Sequence, residues 1–137
     1  MFSIGDLSMR TGVKIPTIRY YEQMGLISAD GRTDGNQRRY GADGLERLSF
    51  IKHSRDLGLS ISAIRDMIRL SEHPRRPCGD ADRIVGEHLA AVRAKIARLK
   101  RLERELARIA SACDGGEIGN CDVIRALADH SLCESRH

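Results

Sequence analysis

A proline-free stretch from Asp80 to Ala112 limits the fold of this 137-residue chain more than any other feature. Apolar side chains recur in it at alternating spacings of four and three, and Arg, Lys and Glu fill most outer positions, which is typical of a coiled-coil seam. At 1.5 Å per residue, the predicted helix is about 50 Å long. The seam consists of Val85, Leu89, Val92, Ile96, Leu99, Leu106 and Ala110, with Leu102 and Ile109 beside it.

A helix of this kind needs a partner, because it cannot bury its apolar stripe alone. Only residues 113–137 follow it, and they are too few to form a second long helix. The pattern therefore predicts a homodimer held together by residues 80–112 of two chains.

The first half of the chain has a different construction and contains all five aromatic residues. Apolar spacing predicts a short helix over 4–11 that Ser3 caps and Gly12 ends, and a second helix over 14–24 that Gly25 ends. Pro16 suits the first turn of the second helix. Two short helices joined by a glycine turn indicate a helix-turn-helix.

Residues 28–41 form a Gly-, Asp- and Asn-rich loop region in which 37–40 is a candidate hairpin strand. A basic hairpin after a helix-turn-helix is a wing, an element able to follow a phosphate backbone, although a plain solvated loop has the same composition. Two further helices are predicted over 43–57 and 60–70, before a break at the prolines of residues 73–79.

The charge of the chain is concentrated in its first half. Residues 1–77 contain 13 Lys and Arg against 9 Asp and Glu, whereas residues 78–137 contain 10 of each. This excess indicates a polyanionic partner such as nucleic acid, or simply a solvated basic surface.

All four cysteines, at positions 78, 113, 121 and 133, lie in the second half. The N-terminus does not have the pattern of a signal peptide, so we expect a reducing cytoplasm, where cysteines are metal ligands, reactive thiols or core residues more often than disulfides.

The long helix separates Cys78 from Cys113 within one chain. An antiparallel dimer brings Cys78 of one protomer to Cys113 and Cys121 of the other, which predicts a thiolate metal site. His88 is a possible secondary ligand, and Cys133 is interpreted as incidental.

Other classes of protein fit less well. The sequence lacks a hydrolase triad pattern, a phosphate-binding glycine loop and an apolar run long enough to span a membrane, so neither an enzyme nor a membrane protein is expected. Two alternatives remain, a nucleic-acid-binding dimer with a purely structural zinc ion and a thiol-based redox regulator that needs no metal.

Several motifs resemble those of the MerR family of bacterial transcription regulators, along essentially the whole chain. They are the segments Ile4–Leu7, Thr17–Ile27 (TIRYYEQMGLI), Arg38–Tyr40 and Asp56–Ser60. The resemblance implies a mainly α protein, with a winged helix-turn-helix DNA-binding domain, a long antiparallel coiled-coil dimerisation helix and a short metal-binding loop. It also implies a homodimer on palindromic promoter DNA that activates transcription by distorting the DNA for RNA polymerase.

The same resemblance implies which residues carry the function. Thr17, Arg19, Tyr20 and Tyr21 match the DNA-reading helix, and Arg38, Arg39 and Tyr40 match the wing. A cysteine directly before the long helix, as Cys78 here, resembles the sensors of cadmium, lead, zinc and, less closely, mercury. The gap between Cys113 and Cys121 is instead like that of cuprous-ion sensors, which remain an alternative.

These interpretations divide the chain into five parts. We expect a DNA-binding domain at 1–72, a linker at 73–79, a dimerisation helix at 80–112, a metal-binding loop with a short helix at 113–128, and a loose tail at 129–137.

Overall fold

The structure is a computed structural model that describes residues 1–112 and 115–128. Its helices are α1 (Ile4–Thr11), α2 (Ile15–Gln23), α3 (Ala42–Asp56), α4 (Ile61–Ser71), α5 (Gly79–Ala112) and α6 (Asp122–Ala128). An antiparallel hairpin of β1 (Gly31–Arg32) and β2 (Arg38–Arg39) lies between α2 and α3, and a short 3-10 helix spans Ile118–Asn120. The prediction of a mainly α fold with a helix-turn-helix and one long helix is confirmed.

The chain divides into two compact units, one of residues Met1–Ala81 and one that begins at Asp82. In the first unit α1 contacts both α2 and α3, and α3 contacts α4. The core residues between them are fully buried: Leu7, Ile18, Leu26, Tyr40, Leu48, Ile51 and Ile64. Each of α1 to α4 thus buries one apolar face, as the sequence spacing predicts.

Local signals in the sequence fix the ends of α1. Ser3 accepts a hydrogen bond from the Asp6 backbone N–H, and the Asp6 carboxylate accepts one from the Ser3 N–H, which together form a capping box. The bond from the Ser3 N–H is the main cause that lowers the pKa of Asp6. At the other end Gly12 has a φ of 77°, a left-handed conformation that glycine adopts without strain. Its position sets the turn from α1 into α2.

The hairpin is shorter than a typical pair of strands, and two further interactions hold it in place. Tyr40 follows β2 and exchanges two backbone hydrogen bonds with Phe2, at 2.6 and 2.8 Å. The Asp30 carboxylate accepts a hydrogen bond from the Gly41 N–H at 2.7 Å. These bonds tie the base of the hairpin to the N-terminus and to the start of α3.

The long helix α5 contains 34 residues. Along it, Val85, Leu89, Ile96, Leu99 and Leu106 are all between 45% and 63% exposed. These five belong to the predicted seam, which the chain by itself therefore leaves open to solvent. Large apolar side chains in a regular row at this exposure are typical of a helix face that pairs with another chain.

Candidate nucleic-acid interface and metal ligands

Helix α2 presents two of its predicted DNA-binding residues to solvent. Ile18 and Tyr21 face the core with 0% and 7% exposure, and this spacing of three places Arg19 and Tyr20 on the outer face. Tyr20 is 49% exposed, whereas Thr17 is half-buried. Of the four predicted DNA-binding residues on this helix, Arg19 and Tyr20 are therefore the best placed to reach a partner.

The hairpin has the geometry of a wing, a name we use for residues 31–39. Thr33 and Gln37 close its turn, since the Thr33 N–H donates to the Gln37 carbonyl at 2.8 Å and the Thr33 hydroxyl accepts from the Gln37 N–H at 3.1 Å. Asn36 has a φ of 65°, and its side-chain oxygen accepts a hydrogen bond from Arg32 at 3.0 Å. The turn is thus held by its own side chains, and it carries Arg32 and Arg38 at its base.

Two grooves separate the wing from neighbouring parts of the first unit, with volumes of about 480 and 470 Å³. Arg19, Arg32 and Arg38 line both of them. Three guanidinium groups along adjoining concave surfaces attract an anionic backbone, and arginine presents donors that suit phosphate. The arrangement favours a nucleic-acid phosphate backbone as the ligand of this face.

An acidic residue, Glu22, lines the groove of about 480 Å³. Its side chain is 11% exposed, one carboxylate oxygen lies 2.7 Å from Nη1 of Arg38, and the other accepts a hydrogen bond from the Tyr40 hydroxyl. Burial of that hydroxyl, followed by the bond to Glu22, raises the pKa of Tyr40 to about 12. The helix and the wing are therefore joined by a network of three side chains.

The structure separates the predicted DNA-binding residues into two groups. Arg19, Tyr20 and Arg38 are exposed, whereas Tyr40 is fully buried and Tyr21 nearly so. Thr17 and Arg39 are intermediate. Direct contact with DNA by any of the seven residues stays a prediction, and the buried tyrosines are placed to support the surface rather than to form it.

Sequence reasoning missed two residues of this surface, Arg32 and Glu22. Arg32 lies in the region that the composition identifies only as a loop, and its pairing with Arg38 across the hairpin reveals its position. Glu22 belongs to the Thr17–Ile27 segment quoted for the family resemblance, and the three-residue spacing from Arg19 could have placed it near the same face.

The predicted metal ligands are only partly described. Cys78 is exposed and directly precedes α5, beside an apolar cleft of about 250 Å³ in the first unit. Cys121 is half-buried between the 3-10 helix and α6. Cys113 and Cys133 lie outside the described residues, and His88 is half-buried on α5. Within residues 1–112 and 115–128, no group of three or more His, Cys, Asp or Glu side chains is arranged to hold a metal ion.

In the part of the chain that the structure describes, no helix is both long enough and apolar enough to cross a bilayer.

Two family models match the chain, and together they cover most of it. Residues 2–71 match the model described as MerR HTH family regulatory protein, and residues 45–109 match the model described as MerR, DNA binding. The first of these regions contains the helix-turn-helix and the wing, and the second contains most of α5.

Named relatives align over nearly the full length. The chain is 36% identical over 129 residues to heavy metal-dependent transcription regulator 2 of Rhizobium meliloti, an alignment that covers 94% of this chain and 88% of the relative. It is 37% identical over 130 residues to the HTH-type transcriptional regulator ZntR of Escherichia coli, with 93% and 92% covered.

Solved structures agree with this alignment. The transcription regulator PbrR691 of Ralstonia metallidurans, crystallised in complex with lead(II), superposes with a TM-score of 0.81 at 34% identity and covers 93% of this chain and 99% of its own. The MerR regulator of Bacillus megaterium in complex with mercury(II) gives a TM-score of 0.68 at 27% identity, with 93% and 100% covered.

Proposed function

This chain belongs to the MerR family of HTH regulatory proteins, and from that premise we propose that it is a metal-responsive transcription regulator. It binds palindromic promoter DNA as a homodimer and activates transcription when a thiophilic divalent ion binds. Its membership in a family of DNA-binding regulators accounts for the helix-turn-helix, the wing and the basic grooves.

The observation that carries the proposal is the position of Cys78 relative to α5. Cys78 lies at the N-terminal end of a continuous helix of 34 residues, and Cys113 and Cys121 follow its C-terminal end. A helix of that length extends for about 50 Å. The exposed seam supports pairing of two such helices, and an antiparallel pair places Cys78 beside the other protomer's cysteines.

The donor chemistry fits a soft or borderline divalent ion. Three thiolates are the ligands that zinc, cadmium, lead and mercury accept, and their combined charge of −3 is balanced better by a divalent than by a monovalent cation. Cys78 is exposed and so accessible to an ion. We propose cadmium, lead or zinc as the inducer, with mercury next, in keeping with the lead- and mercury-bound relatives.

The regulatory step follows from where Cys78 is attached. It belongs to the same compact unit as α2 and the wing, whereas Cys121 belongs to the other unit. When the thiolates of two protomers close around one ion, the loop after α5 of one chain becomes fixed beside the DNA-binding unit of the other. We propose that the two DNA-binding units then change their relation, and that the bound promoter is bent and untwisted so that RNA polymerase engages it.

Run-off transcription with reduced protein and a panel of metal ions tests this function. The template is a promoter fragment that the wild-type protein binds, and cadmium, lead, zinc, mercury and cuprous ions are titrated separately. We expect a metal-dependent increase in transcript with a divalent ion, which Cys78→Ser abolishes. Cys133→Ser serves as the matched control, because it removes a thiol that is not part of the proposed metal site. This variant should respond normally.

Other outcomes identify the alternatives. A response to cuprous ion alone indicates the sensor type suggested by the gap between Cys113 and Cys121. A response to oxidant in the absence of metal indicates a thiol-based redox regulator. Metal that raises stability while transcript stays constant indicates a structural ion.

A further inference from the structure

Glu22 places a negative charge in a groove that three arginines line. A carboxylate beside a phosphate site repels the ligand, so an acidic residue here needs a compensating role. The structure shows how its two oxygens are used: one lies 2.7 Å from Nη1 of Arg38, and the other accepts the hydrogen bond of the Tyr40 hydroxyl. Both partners belong to the wing or follow it directly.

The Tyr40 side of this network is anchored in the core of the first unit. Tyr40 is fully buried, and its backbone exchanges hydrogen bonds with Phe2 in both directions. Its hydroxyl therefore holds one oxygen of Glu22 at a fixed point. The second oxygen then faces Arg38, so the direction of the ion pair is set by the core of the unit rather than by the surface.

The Arg38 side remains available to a ligand. The side chain of Arg38 is 44% exposed, and a guanidinium has five N–H donors in a rigid plane. The ion pair with Glu22 engages Nη1, which leaves the donors on Nη2 and Nε for another acceptor. Because the ion pair already restricts the orientation of the guanidinium, less conformational entropy is lost when a phosphate binds its other edge.

We propose that Glu22 is a positioning residue for DNA binding: anchored by Tyr40, it orients Arg38 so that the remaining guanidinium donors meet a phosphate at the wing. In this proposal, pre-organisation of Arg38 favours DNA binding by more free energy than the repulsion between the Glu22 carboxylate and the DNA costs. The inference rests on the proposed use of α2 and the wing as the DNA-binding surface, and it assigns to Glu22 a contribution that its charge alone would contradict.

The test compares Glu22→Gln with Glu46→Gln, an exposed carboxylate on α3 that does not line either groove. Each variant removes one negative charge from each protomer. The probe is a duplex that wild-type protein selects from a random-sequence library, and dissociation constants are measured over a range of salt concentrations. Simple electrostatics predicts tighter binding for both variants.

For Glu22→Gln we expect the opposite result. Binding should weaken by about tenfold, and the slope of log K against log salt should fall by about 1 for each wing that loses its phosphate contact. Glu46→Gln should bind as well as wild type or slightly better. Equal or tighter binding by Glu22→Gln, in a protein with a wild-type circular dichroism spectrum, would overturn the proposal.

A double-mutant cycle with Arg38→Ala shows whether Glu22 acts through Arg38. Arg38→Ala should weaken binding, and adding Glu22→Gln should cause no further loss. Additive losses would contradict the positioning role. If Arg38→Ala binds as wild type does, the wing contact of the proposed function is itself wrong, so the two failures are distinguishable.

Tyr40→Phe keeps the test decisive if Glu22→Gln fails to fold. This variant retains every charge and removes only the hydroxyl that anchors the carboxylate. The proposal expects weaker binding to the selected duplex than in wild type. Unchanged binding by a folded Tyr40→Phe protein would overturn it.

Discussion

At the scale of single residues, the raised pKa of Tyr40 predicts a specific loss of stability in alkali. An unfolded tyrosine titrates near pH 10, whereas burial and the bond to Glu22 keep the proton on Tyr40 up to about pH 12. Between these values the unfolded state binds fewer protons than the folded state, so stability falls as pH rises, and below pH 10 the contribution is fully present. Arg38 and Arg19 are nearby and oppose the shift.

Tyr40→Phe provides the reference for that measurement. From pH 9 to pH 11, urea unfolding should show that wild type loses about 1 kcal/mol relative to the variant. All other titrating groups are common to both proteins, so the difference isolates Tyr40. A difference that does not change with pH would show that the hydroxyl titrates normally in the folded protein.

Gly12 leads to a second prediction at this scale, because its left-handed backbone is the turn of the helix-turn-helix. Its φ is 77°, and a Cβ atom added there would meet no heavy atom within 4 Å outside its immediate neighbours. The cost of Gly12→Ala should therefore be backbone strain alone, about 1 kcal/mol. Asparagine adopts this conformation more readily than alanine does, so Gly12→Asn should lower the free energy of unfolding by less than Gly12→Ala. Thermal or urea unfolding measures both losses. Equal losses would indicate a steric cause instead.

The residues themselves show how far the sequence could predict the site. Apolar spacing and Pro16 predicted the helix α2, and the helical repeat explains why its Ile18 is buried while Arg19 is exposed. The family resemblance grouped Tyr40 with the DNA-contacting residues, but it could not reveal that Tyr40 is fully buried. That burial depends on Phe2 and Glu22, which are distant in sequence, and short-range patterns do not contain such contacts.

At the scale of elements, helices were predicted well because each carries its own signals. The predicted bounds of α1 coincide with the structure, and those of α2 to α5 differ by one residue at an end. The strand β1 was not predicted, because a strand of two residues is too short to show the alternating apolar and polar pattern that identifies strands. Its pairing depends on the turn at Thr33–Gln37, which local composition identifies only as a loop.

The seam of α5 leads to a prediction about assembly. Ile96 is 46% exposed in the single chain, so Ile96→Asp should cost little within one protomer. In a dimer it buries an unpaired charge on each chain, at a cost of several kcal/mol. Sedimentation velocity should then show monomers. Ala97→Asp places the same charge one position outside the seam and should remain dimeric, whereas a wild-type protein that is monomeric at micromolar concentration would rule out the coiled coil.

At the scale of the whole molecule, the proposed metal response depends on which chain supplies each ligand. The proposed arrangement makes a complete site from Cys78 of one protomer and the Cys113 and Cys121 of the other, and two-fold symmetry gives two sites per dimer. In that arrangement neither protomer alone has a complete site. The proposal therefore links dimerisation to the metal response, and a protein that cannot pair should neither bind the ion tightly nor respond to it.

A mixed dimer tests this arrangement directly. One chain carries Cys78→Ser and the other carries Cys113→Ser/Cys121→Ser, and differently tagged chains are purified as the heterodimer under reducing conditions. If ligands come from both chains, the intact Cys78 of the second chain faces the intact loop of the first, so the heterodimer should bind one cadmium ion in equilibrium dialysis, against two for wild type and none for either mutant homodimer. If all ligands came from one chain, every site in the heterodimer would be incomplete, and the absence of tightly bound cadmium would refute the shared site.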